Sequence, residues 1–133
     1  MTVLTITTCR IVEWRDKFDA PSNEVFGFEA VRYHTDGTVT PANGTDATEA
    51  NTCGFACVES DRVGQAVTVV RDGLLDIGNA LSAVPIGTLI YLSDTDGQLA
   101  DDAASTVDIA FGRVVPGWAN LTADKLLLVK KGG

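Results

Sequence analysis

Histidine occurs once in this 133-residue chain, at His34. Without a second histidine or a nucleophile motif, the only route to a Ser-His-Asp or Cys-His arrangement is Cys9 with His34 and an acid. His34 sits in a turn, so it reads as a solvated side chain. Basic residues are also scarce: 10 Lys+Arg stand against 18 Asp+Glu, a net charge of -8. Such a surface repels phosphate, and the only adjacent basic pair is Lys130-Lys131, so nucleic acid is excluded as a partner. No glycine-rich phosphate loop is present, neither GxGxxG after a strand nor GK[ST]. No apolar run approaches the ~18 residues of a membrane span. The N-terminal stretch MTVLTITTCRIVEWRD has no basic start and no long apolar core, so it does not read as a signal peptide, and synthesis in the cytoplasm is expected. Nor do ten or more residues anywhere follow a 3.6-residue apolar period, which argues against helices.

Metal and cofactor chemistry find little support. Cys53 and Cys57 on one strand would lie roughly 13 Å apart, too far to share a zinc ion or a disulfide. In a reducing compartment the expectation is three free, buried thiols: Cys9, Cys53 and Cys57. Asp94-Thr95-Asp96-Gly97 begins like a calcium loop but lacks the third acid and the distal Glu, and reads as a β-turn. No metal, no cofactor and no catalytic residue is expected, and the chain does not read as an enzyme.

What the chain does contain is β structure. Hydrophobic residues make up 45% and charged residues 21%, enough for a folded core in one unit. Val3–Thr8 reads as a strand, and Arg15–Glu24 (RDKFDAPSNE) as a charged loop or arm anchored by Trp14 and Phe18. Further strands are expected over 25–33, 38–40, 53–59, 88–92, 98–100, 107–115 and 125–130, with one helical turn near 79–85. Gly64–Gly73 (GQAVTVVRDG) reads as a strand running into an Asp72-Gly73 hairpin turn, with Leu74–Ile77 returning.

The two halves of the chain resemble each other. At an offset of 60, Gly27 falls on Gly87 and Thr35-Asp36-Gly37 on Thr95-Asp96-Gly97. After a two-residue slip Gly54 falls on Gly112, and back at 60 Val69 meets Val129 and Gly73 meets Gly133. The expected architecture is all-β: a small sandwich or barrel built from two similar β-meander halves, roughly 25–73 and 74–133, preceded by an N-terminal strand and arm over 1–24.

Those halves carry a resemblance. The segments HTDGTVTPA, GFACVESDRVGQAVTVVRDGLLDIG, PIGTLIYLSDTDGQL, FGRVV and KLLLVKKG follow the order of strands, turns and glycines found in the capsid cement, or head decoration, proteins of tailed bacteriophages. The chain resembles that family from about Val25 to Lys131; the first 24 residues do not match it. The resemblance implies a non-enzymatic structural virion protein. It would bind the outer surface of the head through the major capsid protein, as a homotrimer, and stabilise the shell. Trp14, Arg15, Phe18 and Trp118 are the candidate interface residues, since aromatics concentrate at interface hot spots. The alternative is a β-sandwich carbohydrate or cell-surface binding module of a phage tail or fibre. Exposed aromatics in a row would favour it, and the chain has two Trp and two Tyr, widely spaced.

Overall fold

The computed structural model describes residues 3–107, 110–117 and 125–130. Among these, nine strands form one curled antiparallel sheet, a half-barrel. They are β1 (Arg10–Pro21), β2 (Glu29–Tyr33), β3 (Val39–Pro41), β4 (Thr52–Ala56), β5 (Ala66–Asp76), β6 (Leu89–Leu92), β7 (Leu99–Ala100), β8 (Ala110–Pro116) and β9 (Lys125–Lys130). A 3-10 turn, Gly78–Leu81, joins β5 to β6 and buries Leu81. The all-β expectation holds, and the order β3-β2-β4-β5-β9-β8-β6-β7 is two copies of one four-stranded arrangement joined back to back through β5 and β9.

The duplication extends to the pairing register. In the first half a bulge separates Val31↔Gly54 from Arg32↔Thr52; in the second, a bulge separates Ile90↔Gly112 from Tyr91↔Ala110. Gly54 and Gly112 are equivalent for one steric reason. A Cβ on Gly54 would lie 2.5 Å from the carbonyl oxygen of Val70, and one on Gly112 would strike that of Leu128, the matching residue of β9. One detail of the expected alignment is corrected. Ala56↔Val69 corresponds to Val114↔Leu127, so Val69 matches Leu127 rather than Val129; the slip before β4 and β8 is kept to the end of each half. Gly133 lies outside the described residues.

The expected hairpin at Asp72-Gly73 is not formed. β5 runs unbroken through both residues, and Gly73 does not have a positive φ. Its role is close approach: a Cβ there would lie 2.5 Å from the carbonyl oxygen of Glu13 and 3.0 Å from Trp14 Cα in the neighbouring strand. Asp-Gly favours a turn only when the chain on either side has no better pairing. Here β5 has β1 along one side and β4, then β9, along the other. The expected boundary between halves, 73/74, therefore falls inside a strand.

Just before that point β5 carries an extra residue. Asp16 pairs with Asp72 and Lys17 with Val70, which leaves Arg71 without a partner in the register. Such a bulge reverses the alternation of side chains. Val70 and Leu75, five apart, consequently face the same core. The two halves then present opposite faces to that core. In the first half Ala30, Phe55 and Val70 point inward, paired as Ala30↔Phe55↔Val70. The equivalent row of the second half, Leu89↔Arg113↔Leu128, points outward, while Val114 and Leu127 point inward.

The N-terminal region is also corrected. Val3–Thr8 is not a strand; only Val3 makes a bridge, to Ala100. The stretch read as a loop, Arg15–Glu24, supplies most of β1. Asp16, Phe18 and Ala20 alternate inward while Lys17, Asp19 and Pro21 face solvent. The charges, the bulges at Val12 and Arg15 and the terminal proline are how an edge strand is kept from pairing indiscriminately, so the composition resembled a loop. Phe18, Ala20 and Phe26 close a second core over Val31, Val39, Cys53, Ala56, Val67 and Val69, on the outer side of the first half.

If Gly73 is a close-approach glycine, even Gly73→Ala should destabilise the protein, by about 1–3 kcal/mol, as inserted core atoms do. Asp72→Thr, which would ruin a turn of the expected kind, should leave the urea midpoint near that of the parent. An unchanged midpoint for Gly73→Ala would refute the packing account.

Candidate functional site

Three of the four candidate interface residues lie on β1, and the structure separates their roles. Trp14 is 53% exposed, with Lys17 Nζ 4.7 Å from its ring centroid. Cation–π contact at such a site contributes about 0.5–1 kcal/mol, enough to orient the indole against the strand. Arg15 is a bulge residue and exposed, beside a hollow also lined by Glu13, Asp72, Leu74, Val115 and Leu128. Phe18 is not a free anchor. Its ring stacks on Tyr33 at 5.8 Å between centroids, and the Arg71 guanidinium lies 4.9 Å from it. Arg71 also donates to Asp16 Oδ1 at 2.9 Å. Phe18 thus ties β1 to the bulge of β5 and to β2. Trp118 lies outside the described residues.

The cysteines depart from expectation. Cys9 and Cys57 form a disulfide, with Cα atoms 5.5 Å apart, and Cys53 is buried outside it, its thiol donating to Val31 O at 3.6 Å. The segment before β1 is drawn to the end of β4 because Leu4 is buried in the main core and its N–H donates to Leu99 O at 2.8 Å. The odd cysteine count hid this pair, because spacing along the chain carries no information about partners 48 residues apart. The pairing consumes the thiol that a Cys9–His34 dyad would need. His34 instead lies 3.1 Å from Asp36 in the expected His34–Gly37 turn, where Gly37 has φ 88°. The hydroxyl and backbone N–H of Thr38, and then His34, hold the exposed Asp36 carboxyl down at about 2.

At the end of the molecule away from the β5–β9 seam, the loops of the two halves clasp each other. Gly44 N–H donates to Ser93 O, Gly97 N–H to Ala42 O, Ala30 N–H to Gly97 O and Val107 N–H to Gly44 O, at 2.6–3.0 Å. Asn43 Nδ2 donates to Asp96, and Asp94 accepts from Ser105 N and Oγ. The carboxylates of the calcium-like stretch therefore bind loops. Among the described residues no three His, Cys, Asp or Glu side chains come together as a metal site. Glu29 sits in this clasp, accepting from Gly27 N at 3.2 Å. Burial pushes its carboxyl up, against the lowering effect of that hydrogen bond, and the charges of Glu24 and Asp96 push it further.

No protein-family model matches the chain, and no curated protein matches it significantly. The functional reading therefore rests on the residues and their placement.

Two outcomes follow. Reducing the Cys9–Cys57 bond should cost about 2–4 kcal/mol of stability. A thiol assay on unfolded protein should count one reactive thiol before reduction and three after it; three before reduction would exclude the bond. For Glu29, a carboxyl raised in the folded state binds its proton more tightly there than in the unfolded chain. Its contribution is neutral below the ordinary value of 4.5 and becomes unfavourable as pH rises above it. Glu29→Gln keeps an acceptor for Gly27 N and should be more stable than the parent at neutral pH. That gain should vanish in melts run at the acid end of the titration, and a gain independent of pH would contradict the burial account.

Proposed function

We propose that this chain is a structural virion protein, a decoration protein that binds the outer surface of a tailed-bacteriophage head through the major capsid protein and stabilises the shell. The observation that supports this most is the duplicated meander, because the segments carrying the resemblance are the elements that repeat. HTDGTVTPA makes the β2–β3 turn and β3; GFACVESDRVGQAVTVVRDGLLDIG makes most of β4, the connection and β5. PIGTLIYLSDTDGQL makes β6 and the turn to β7, FGRVV lies in β8, and KLLLVK is β9.

The mechanics suit a brace. The halves are joined by β5–β9 pairing on one side and by the loop clasp on the other, and a disulfide ties the N-terminal segment to β4. Load applied to one half passes to the other through hydrogen bonds rather than through a flexible linker. Disulfides persist on virion surfaces, which fits a protein that works outside the shell. Trp14 and Arg15, projecting from β1, are the proposed contacts with the capsid protein.

Because β1 closes the second core, deleting residues 1–24 would damage the fold; surface substitutions are the cleaner probe. Full-length protein should bind undecorated, expanded heads, and Trp14→Ala/Arg15→Ala should lower its apparent affinity by about tenfold or more, as loss of a hot spot does. Equal occupancy by the variant would remove β1 from the contact. Failure of the parent to bind heads from the phage encoding it would overturn the reading.

A further inference from the structure

The outward face of the second half carries half-buried leucines flanked by charged side chains. Its central row crosses four strands through register partners: Glu13 of β1, Leu74 of β5, Leu128 of β9 and Arg113 of β8. Leu89 of β6, 36% exposed, extends the row beyond Arg113. The equivalent row of the first half, Ala30–Phe55–Val70, is fully buried against the other half. The Arg71 bulge, by reversing β5, turned this row outward.

The row has a sense. It reads acid, leucine, leucine, base. The neighbouring register pair on the same two central strands, Asp72↔Lys130, repeats the polarity, acid on β5 and base on β9. A second copy turned by half a revolution about a line between β5 and β9, along the strands, reverses the row and leaves each level in place. Leu74 then meets Leu128 of the second copy, Glu13 meets its Arg113, and Asp72 meets its Lys130. Each contact occurs twice. We propose that this face is a two-fold interface between two copies of this chain, with Leu74 and Leu128 at its centre and the Glu13–Arg113 and Asp72–Lys130 pairs around them.

Two further features favour a second copy over another partner. A closed two-fold pair needs one self-complementary surface, which this face provides, whereas a ring needs two different surfaces that fit each other. The face is also close to balanced in charge within a chain of net charge -8. Complementary pairs at the rim offset the repulsion that two such acidic molecules would otherwise feel. Arg113 is held ready, its Nη1 donating to Gly87 O at 2.9 Å.

This inference replaces the homotrimer that the family resemblance implies and leaves head binding as a separate question: mass in solution, measured without heads, decides between two copies and three. Light scattering on the full-length protein at tens of micromolar should give twice 14.0 kDa. Glu13→Arg and Arg113→Glu should each raise the dissociation constant by about tenfold or more, because each places like charges together twice. Mixing the two variants should restore a mixed dimer, in which both pairs again have opposite sign, and the double variant should dimerise with itself. Thermal melts of each variant separate a lost interface from a lost fold; should Arg113→Glu not fold, Leu128→Lys and the Glu13→Arg/Arg113→Glu double variant carry the test. A monomer, a trimer, or a dimer that Arg113→Glu and Leu128→Lys leave intact would each overturn the proposal.

Discussion

The fold depends on one extra residue in one strand. β5 is shared by both halves: its first part pairs with β4 and its second with β9, and β1 lines its other side throughout. A regular strand would keep one face toward the interior along its whole length. The two halves, having the same strand order, would then have to meet by equivalent faces. The bulge at Arg71 breaks that equivalence, placing Val70 and Leu75 in one core and leaving Leu74 and Leu128 outside. It also exposes a guanidinium at the pivot, and the fold uses it. Asp16 neutralises Arg71 and the Phe18 ring packs beneath it, so the same residue that bends β5 fastens β1 over the first half.

This arrangement explains which parts of the architecture were legible in the sequence. Strands with a local signal, such as β6, β7 and β9, were readable because β-branched and apolar residues there are bounded by Gly and Asp turns. The Thr-Asp-Gly turns were readable because Gly37 and Gly97 adopt positive φ, at 88° and 71°. The repeat was visible through Gly54 and Gly112, which survive because each lies against an equivalent carbonyl. Gly73 misled for the same reason in reverse: glycine is required there by a neighbour fifty-nine positions away along the chain, Trp14, and local chemistry cannot distinguish that need from a turn. β1 was missed because an edge strand under pressure to stay unpaired acquires the charges, bulges and proline of a loop.

The candidate site was legible in part, and the division is physical. Trp14 and Arg15 could be picked out because large or charged residues in an apolar-poor segment tend to project. Phe18 meets the same criterion, yet its ring is committed to Tyr33 and Arg71. A single aromatic on an alternating strand points in or out according to register, and register here is set by three irregularities in the β1–β5 pairing. The disulfide was hidden at a higher level still. It depends on Leu4 entering the core beside Leu99, a tertiary event with no trace in the spacing of Cys9 and Cys57.

The asymmetry between the halves bears on how a duplicated protein divides its work. Duplication alone yields two equivalent outer faces and two equivalent inner ones. Here the first half has its outer face covered by its own Phe26 and by Phe18 and Ala20, contributed by the N-terminal segment that the second half has no counterpart for in the repeat. The second half keeps its leucines and its ordered charges on the outside. One half has thus become the anchored half, stapled by the disulfide and roofed by β1, and the other keeps Leu74 and Leu128 half-buried on its outer face. The N-terminal segment, which stands outside the repeat, is what makes the two halves unequal. It closes one face, and Glu13 at its edge supplies the acidic end of the charge row on the other.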